Sequence, residues 1–237
     1  MRNTLMAMPA AADMVTVNGN KEHRAVSIPS ILLCGLLAVL PAFGGERVAA
    51  PLVSLYTSFQ QTAPGTVVEA LRTEVDAVMA PMGMHFEWRS LAGARGNETV
   101  AELAVVTFRG RCDASGLMAR PPQSGPLGWT HVSDGVILPF SDIDCDRIRL
   151  FLQRDLLFVR ADEREEMFGR AVARVLAHEL YHIFAHTTHH APDGVAKSTY
   201  TVQELLSGNF QFEERDAAAL HTSSVRTISA EKPAGTP

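Results

Sequence analysis

Residues 162–190 read DEREEMFGRAVARVLAHELYHIFAHTTHH, and this segment organises the rest of the chain around one helix. Apolar residues recur in it at spacings of three and four, at Phe168, Ala171, Val172, Val175, Leu176, Ile183 and Phe184. This spacing predicts a helix that buries an apolar face and runs to about Thr187. The pattern Asp162-x-x-Glu165 predicts a capping box at its start.

The helix carries the motif His178-Glu179-Leu180-Tyr181-His182. Four residues are slightly more than one helical turn, so both imidazoles project from the same face and can bind one zinc ion. Glu179 would lie beside that ion and act as general base toward a zinc-activated water. Histidines are also concentrated here, since His186, His189 and His190 follow closely. The sequence therefore predicts a Zn²⁺ site with His178 and His182 as ligands and Glu179 as the catalytic residue.

The motif resembles that of the metzincin metallopeptidases, which continue it as H-E-x-x-H-x-x-G-x-x-H. Ala185 stands at the glycine position and Thr188 at the final histidine, so the chain departs from the usual pattern. It is more similar to small secreted bacterial metzincin-like proteins, in which the third histidine follows eight residues after the second. The resemblance implies His190 as the third ligand. It also places Ala196 where those proteins carry the methionine of their turn, and no methionine follows Met167.

Other donors for the third position stay open. His189 lies one residue nearer the usual metzincin spacing, and Glu204 would supply the ligand from a later helix, as in the gluzincin arrangement. His186 would lie too far along the helix axis to share the ion comfortably. Tyr200, ten residues after His190, could support the oxyanion of the transition state, as tyrosines do in some metzincins.

Alternation and helical spacing predict the remaining elements. The predicted strands are 51–56, 85–89, 102–108, 127–132 and 136–140, and the predicted helices are 65–80, 146–159, 202–206 and 212–220. The apolar run of 102–108 is typical of a strand buried on both faces. Asp134-Gly135 predicts a hairpin turn that leads into the strand 136–140. Pro139 within this strand restricts its pairing to an edge or a strand end.

The order of these elements indicates an α+β fold with helices on one face of the sheet. We expect a twisted mixed sheet of four to five strands, a packing helix, the long zinc-binding helix and short C-terminal helices. The metzincin resemblance implies the same arrangement.

The N-terminus has the features of a signal peptide. Lys21 and Arg24 precede a short apolar run, Ile31–Phe43, which is followed by small residues. The chain is then divided into an N-terminal region at 1–50, a metallopeptidase-like catalytic domain at 51–224 and a disordered tail at 225–237.

Export changes the interpretation of the cysteines. Once the signal is removed, Cys112 and Cys145 remain as a pair in a secreted or periplasmic protein, where disulfides persist. A bridge between them would stabilise the domain by roughly 3 kcal/mol, because it restricts the unfolded chain.

Composition excludes some classes of function. The chain of 237 residues is 46% hydrophobic, which suits a globular core, and its formal net charge of −5 argues against a nucleic-acid binder. No run reaches the roughly 18 apolar residues of a membrane-spanning helix, so no stable span is expected after signal removal. We expect a monomeric, secreted zinc endopeptidase whose partners are peptide or protein substrates.

Two alternatives come from the same residues. A secreted zinc-binding protein without peptidase activity would account for the missing turn methionine and the missing glycine at Ala185. A histidine-rich helix that buffers several weakly bound metal ions is the other.

Overall fold

A computed structural model describes residues 52–96, 99–100, 102–118, 120–121 and 124–220. The predicted signal peptide and the predicted tail from 225 onward lie outside these residues. Within the part of the chain described, no helix has both the length and the apolar character needed to cross a membrane.

Five strands form one mixed sheet: β1 (Leu52–Phe59), β2 (His85–Ser90), β3 (Leu103–Arg109), β4 (Gly128–Ser133) and β5 (Val136–Asp144). Their order across the sheet is β2-β1-β3-β5-β4, and β4 runs antiparallel to β5 while the other neighbouring strands are parallel. The predicted hairpin is present, and its turn residues Asp134 and Gly135 have φ values of 51° and 78°. The predicted fold class, α+β with a mixed sheet, is confirmed.

The helices are α1 (Gly65–Met79), α2 (Cys145–Leu156), α3 (Arg164–Phe184) and α4 (Val202–Leu206), and residues 214–220 are also helical. From Phe168 to Phe184 every residue of α3 except Arg170 is buried. A helix buried on nearly all sides must be enclosed by other elements, and α3 packs against α1, α2 and strands β4 and β5. The motif therefore lies on the central helix of the fold.

The predicted start of α3 is wrong. Asp162 does not cap the helix, because its carboxylate accepts hydrogen bonds from Arg160 at 3.2 and 2.8 Å. Glu165 instead accepts a hydrogen bond from the Thr66 hydroxyl of α1. One contact within the same segment and one with α1 thus replace the predicted capping box. The helix also ends at Phe184 rather than at about Thr187.

One prediction about the strands is also wrong, and another holds in only one of its two alternatives. β3 is not buried on both faces, since Ala104, Val106 and Phe108 are buried but the residues between them are only half-buried. For β5, which contains Pro139, the sequence predicts an edge strand or a strand end; β5 is not an edge strand, and Pro139 instead lies at the end of its pairing with β3. Pairing with β3 begins only at Phe140, and the register with β4 shifts opposite this segment. The missing N–H of proline thus falls where the ladders are interrupted.

The predicted disulfide between Cys112 and Cys145 is present, with the Cα atoms 4.9 Å apart. Both residues are buried, and Cys145 is the first residue of α2. The bridge therefore ties the segment after β3 to the start of that helix.

Candidate metal centre

The three motif residues lie together on the buried face of α3. His178 and His182 are each 7% exposed and Glu179 is 5% exposed. The Nε2 atoms of the two histidines are 3.0 Å apart, because residues four apart on a helix lie one above the other. Burial lowers the pKa of both imidazoles, that of His178 to about 4. Both rings are therefore neutral at neutral pH.

The other nitrogen of each ring is held by a backbone carbonyl. Nδ1 of His178 donates to Val195 O at 2.8 Å, and Nδ1 of His182 donates to Thr187 O at 2.7 Å. A carbonyl oxygen can only accept, so the single proton of each neutral ring is on Nδ1. Both Nε2 atoms consequently present lone pairs to one another.

Two lone pairs at 3.0 Å repel each other unless a cation lies between them. A zinc ion at the ordinary Zn–N distance of about 2.0–2.1 Å from both nitrogens would make an N–Zn–N angle of about 95°. A slightly larger distance between the two nitrogens would bring this angle to the tetrahedral value. Carbonyl acceptors on Nδ1 are also the usual partners of metal-binding histidines, since they fix the tautomer and the ring orientation. The donor set therefore fits a divalent metal ion.

His190 completes a group of three. One ligand atom from each of His178, His182 and His190 can be chosen so that all lie within 4.8 Å of one another. The His190 ring lies 5.2 Å from the His178 ring and 4.8 Å from the His182 ring, centroid to centroid. His190 is exposed, unlike the other two, so it forms the solvent side of the group.

The chain reverses after α3 through His186, which has a φ of 48°. The N–H of His186 donates to Ile183 O and that of Thr187 donates to His182 O, at 3.3 and 3.2 Å. This pair of bonds is a Schellman motif with a histidine at the position that glycine usually takes. The left-handed residue thus comes one position after Ala185, where metzincins carry glycine, and His186 turns the chain.

The alternative third ligands lie elsewhere. The backbone N–H of His189 donates to the Thr187 hydroxyl, and its exposed side chain is not in the histidine group found among the described residues. Glu204 caps α4 through Thr201 and is paired with Lys197, whose ammonium helps hold the pKa of that carboxyl at about 2. The structure therefore brings His190, and neither alternative, to the other two histidines.

Tyr200 lies behind His178 rather than on its metal-facing side. Its hydroxyl donates to Val195 O, the same carbonyl that holds His178, and is 3.0 Å from His178 Nδ1. Burial, together with the carboxylates of Glu179 and Glu204, raises the pKa of Tyr200, so the hydroxyl keeps its proton. This position makes Tyr200 a support of His178, and its contact with a transition-state oxyanion stays a prediction.

A hydroxyl group of the sheet holds the Glu179 carboxylate in place. Its Oε2 accepts a hydrogen bond of 2.7 Å from the hydroxyl of Thr130 on β4. Burial raises the pKa of Glu179 to about 7, and the Thr130 hydrogen bond lowers it in part. Gly128, two residues earlier on the same face, lets β4 approach closely, because an added Cβ there would lie 3.1 Å from Glu179 Cγ.

A cavity of about 570 Å³ opens beside the site. His178, Glu179 and His190 form part of its lining, and its other lining residues are apolar or carry hydroxyl groups. The apolar side chains are Pro126, Leu127, Trp129, Phe151 and Val175. An apolar side chain of a ligand can therefore be buried next to the candidate metal position.

Several contributors to the site were missed in the sequence. The carbonyls of Thr187 and Val195 carry no side-chain signal, so no motif could identify them. Val195 and Ala196 are fully buried where metzincins have their methionine turn, and Ala196 O accepts from the Ala191 N–H at 2.9 Å. Thr130 carried one signal, a polar residue on the inward-facing side of a predicted strand.

No protein-family model matches this sequence, and no curated protein does either. Among solved structures, the fold is similar to the crystal structure of archaemetzincin from Methanopyrus kandleri, with 14% sequence identity and a TM-score of 0.44. The similarity covers 78% of this chain and 99% of that one, and at this TM-score it does not place the chain in that family.

Proposed function

We propose that this protein is a secreted zinc-dependent peptidase, with His178, His182 and His190 as zinc ligands. One observation carries the proposal: the Nε2 atoms of His178 and His182 face each other at 3.0 Å while both Nδ1 protons are committed to carbonyls. A buried carboxylate, Glu179, lies next to this pair on the same helix. Three histidines and one carboxylate are the parts of a hydrolytic zinc site.

Glu179 is the general base. When bound, the zinc ion acts as a Lewis acid and lowers the pKa of a coordinated water toward about 7. Thr130 occupies Oε2, so Oε1 accepts the proton of the attacking water. Glu179 then passes that proton to the nitrogen of the leaving amine.

The cavity and the edge of the sheet support a peptide substrate. β4 is an edge strand, and Gly128 and Trp129 at its start line the cavity. An extended peptide can pair with such an edge while one of its side chains enters an apolar pocket. We therefore propose that the enzyme cleaves an extended peptide next to a large apolar side chain.

The proposal of secretion rests on the predicted signal peptide and is supported by the disulfide. Bridges such as Cys112–Cys145 persist in oxidising compartments and are rare in reducing ones.

A zinc-binding protein without peptidase activity is the second candidate. The observation that favours it is the small residue Ala196, buried where metzincins carry methionine. Such a protein would bind one zinc ion and show no turnover.

The test is Glu179→Gln, which keeps the shape of the side chain and removes its basicity. We expect hydrolysis of denatured casein and of peptide libraries to fall by roughly 10²- to 10⁴-fold, while one zinc ion per chain stays bound. Glu166→Gln, the same change at an exposed position of α3, is the matched control and should leave the rate unaltered. Equal turnover by Glu179→Gln and wild type would reject the mechanism. No zinc-dependent turnover by the wild type would favour the second candidate.

A further inference from the structure

Two hydroxyl groups of the sheet form a chain that ends on Glu179. Thr130 Oγ1 lies 2.7 Å from Glu179 Oε2 and 2.9 Å from Ser141 Oγ. It also lies 3.1 Å from the backbone oxygen of Glu179. Ser141 is only 2% exposed and Thr130 is half-buried, so the chain is largely shielded from water. Hydrogen bonds to a charged group are stronger in such surroundings.

The direction of this chain follows from counting protons. An ionised carboxylate only accepts, and Thr130 has one hydroxyl proton to donate. The contact with Glu179 Oε2 is the shortest that Thr130 makes, so the proton lies there. The Thr130 oxygen then accepts from Ser141. The hydroxyl of Ser141 thus donates to Thr130, which donates to Glu179.

The register of the sheet holds both hydroxyls in place. Thr130 and Ser141 are direct partners in the β4–β5 ladder, and Gly128 pairs with Ile143 one step along the same face. At Gly128 an added Cβ would lie 3.0 Å from Ile143 Cδ1 and from Val175 Cγ1. Since no Cβ is present, the strand lies close enough to α3 for the Thr130 hydroxyl to reach the carboxylate. Two neighbouring strands therefore fix the donor rigidly.

We propose that Thr130 and Ser141 are positioning residues for the general base, and this inference rests on the proposed function. Their two hydrogen bonds, from Ser141 to Thr130 and from Thr130 to Glu179, are called the relay. The relay fixes Oε2 and thereby the rotamer of Glu179, which leaves Oε1 to receive the proton of the attacking water. Neither residue belongs to the motif or to its helix.

Kinetics of three variants test the relay. Thr130→Val removes the hydroxyl at nearly constant volume, Thr130→Ser retains it, and Ser141→Ala removes its donor. We expect Thr130→Val to lower kcat roughly 10- to 100-fold with KM within about twofold, and Ser141→Ala to lower kcat roughly threefold to tenfold. Thr130→Ser, which retains the hydroxyl, should keep kcat within about threefold of wild type. Thr107→Val, which removes a half-buried hydroxyl from β3, a strand that does not pair with β4, is the matched control.

A second measurement does not depend on turnover. In metal-free protein, the losses in free energy of unfolding caused by Thr130→Val, Glu179→Ala and the double variant should be non-additive, because both single changes remove the same hydrogen bond. Additive shifts would overturn the contact.

The outcomes separate the two proposals. Full kcat in Thr130→Val beside an inactive Glu179→Gln would overturn the relay and leave the peptidase proposal standing. A folded, zinc-loaded wild type without turnover would overturn the proposed function, and the positioning role with it. If Thr130→Val fails to fold, unaltered kcat in Ser141→Ala together with additive losses in free energy of unfolding for Ser141→Ala and Glu179→Ala would refute the relay.

Discussion

Arg174 lies on α3 one turn before His178 and is only 1% exposed. Its Nε donates to Glu74 of α1 at 2.6 Å, its Nη1 donates to Glu204 O of α4 at 2.8 Å, and its guanidinium lies 5.0 Å from the Phe210 ring centroid. Arg174→Met fills most of the same volume and removes all three contacts. Breaking a buried ion pair from one side costs about 3–5 kcal/mol, since the remaining charge loses its partner.

The lower end of that range applies here. Glu74 keeps a second cation, because Arg170 Nε is 3.6 Å from its carboxylate. We therefore expect Arg174→Met to lower the free energy of unfolding by about 3 kcal/mol and the Tm by about 6–12 °C. Arg170 is the more exposed of the two arginines near Glu74. Arg170→Met should therefore lower the free energy of unfolding by less than about 1 kcal/mol.

Urea unfolding followed by circular dichroism measures these differences. In the double variant Arg174→Met with Glu74→Leu, no unpaired carboxylate is left, so the loss should be smaller than the sum of the two single losses. An Arg174→Met protein within about 1 kcal/mol of wild type would refute this account of the Arg174 contacts, as would strict additivity in the double variant.

The remaining predictions concern the disulfide, the turn after α3 and the strand beside Glu179. Replacing Cys112 and Cys145 by serine opens a loop that spans 33 positions, so the free energy of unfolding measured in urea should fall by roughly 3–4 kcal/mol, and an unchanged value would contradict the stabilising role. His186→Gly relieves a left-handed backbone and should raise stability by up to about 1 kcal/mol without altering zinc content, whereas loss of zinc would show that His186 is a ligand. Gly128→Ala adds a methyl group 3.1 Å from Glu179 Cγ, so kcat should fall while stability drops by about 1–2 kcal/mol, and an unchanged kcat would show that the approach of β4 is not critical.

Much of the fold could be predicted because periodicity reports burial directly. The helix after Gly65 and the central helix with Phe168 and Phe184 on buried faces both follow from spacings of three and four. The hairpin at Asp134-Gly135 follows from the φ values that its two residues tolerate.

The error at the start of α3 has a physical cause, which is competition from other side-chain contacts, one local and one distant in the chain. Asp162 could cap α3, but Arg160 pairs with it and Thr66 from α1 takes Glu165. Pro139 forbids a ladder bond, but an interruption in the register removes the need for that bond. Local rules give the preferred state of a segment, and tertiary partners decide between states of similar energy.

The site residues also fall into two groups, those that local sequence predicts and those that depend on tertiary contacts. His178 and His182 could be identified because one helical turn sets their separation, whatever surrounds them. His190 was implied only by resemblance, since its approach depends on a left-handed residue at His186. Thr130 reaches Glu179 through strand pairing, which the residues of β4 alone do not specify.

Zinc stoichiometry in the purified full-length chain tests the central claim most directly. Inductively coupled plasma mass spectrometry of the dialysed wild type should give one zinc ion per chain, and His189→Ala should keep it as the matched control. His182→Ala should lose the ion, and His190→Ala should bind it far more weakly. Several weakly held ions in the wild type, or one tightly held ion in His182→Ala, would contradict a single site built on His178, His182 and His190.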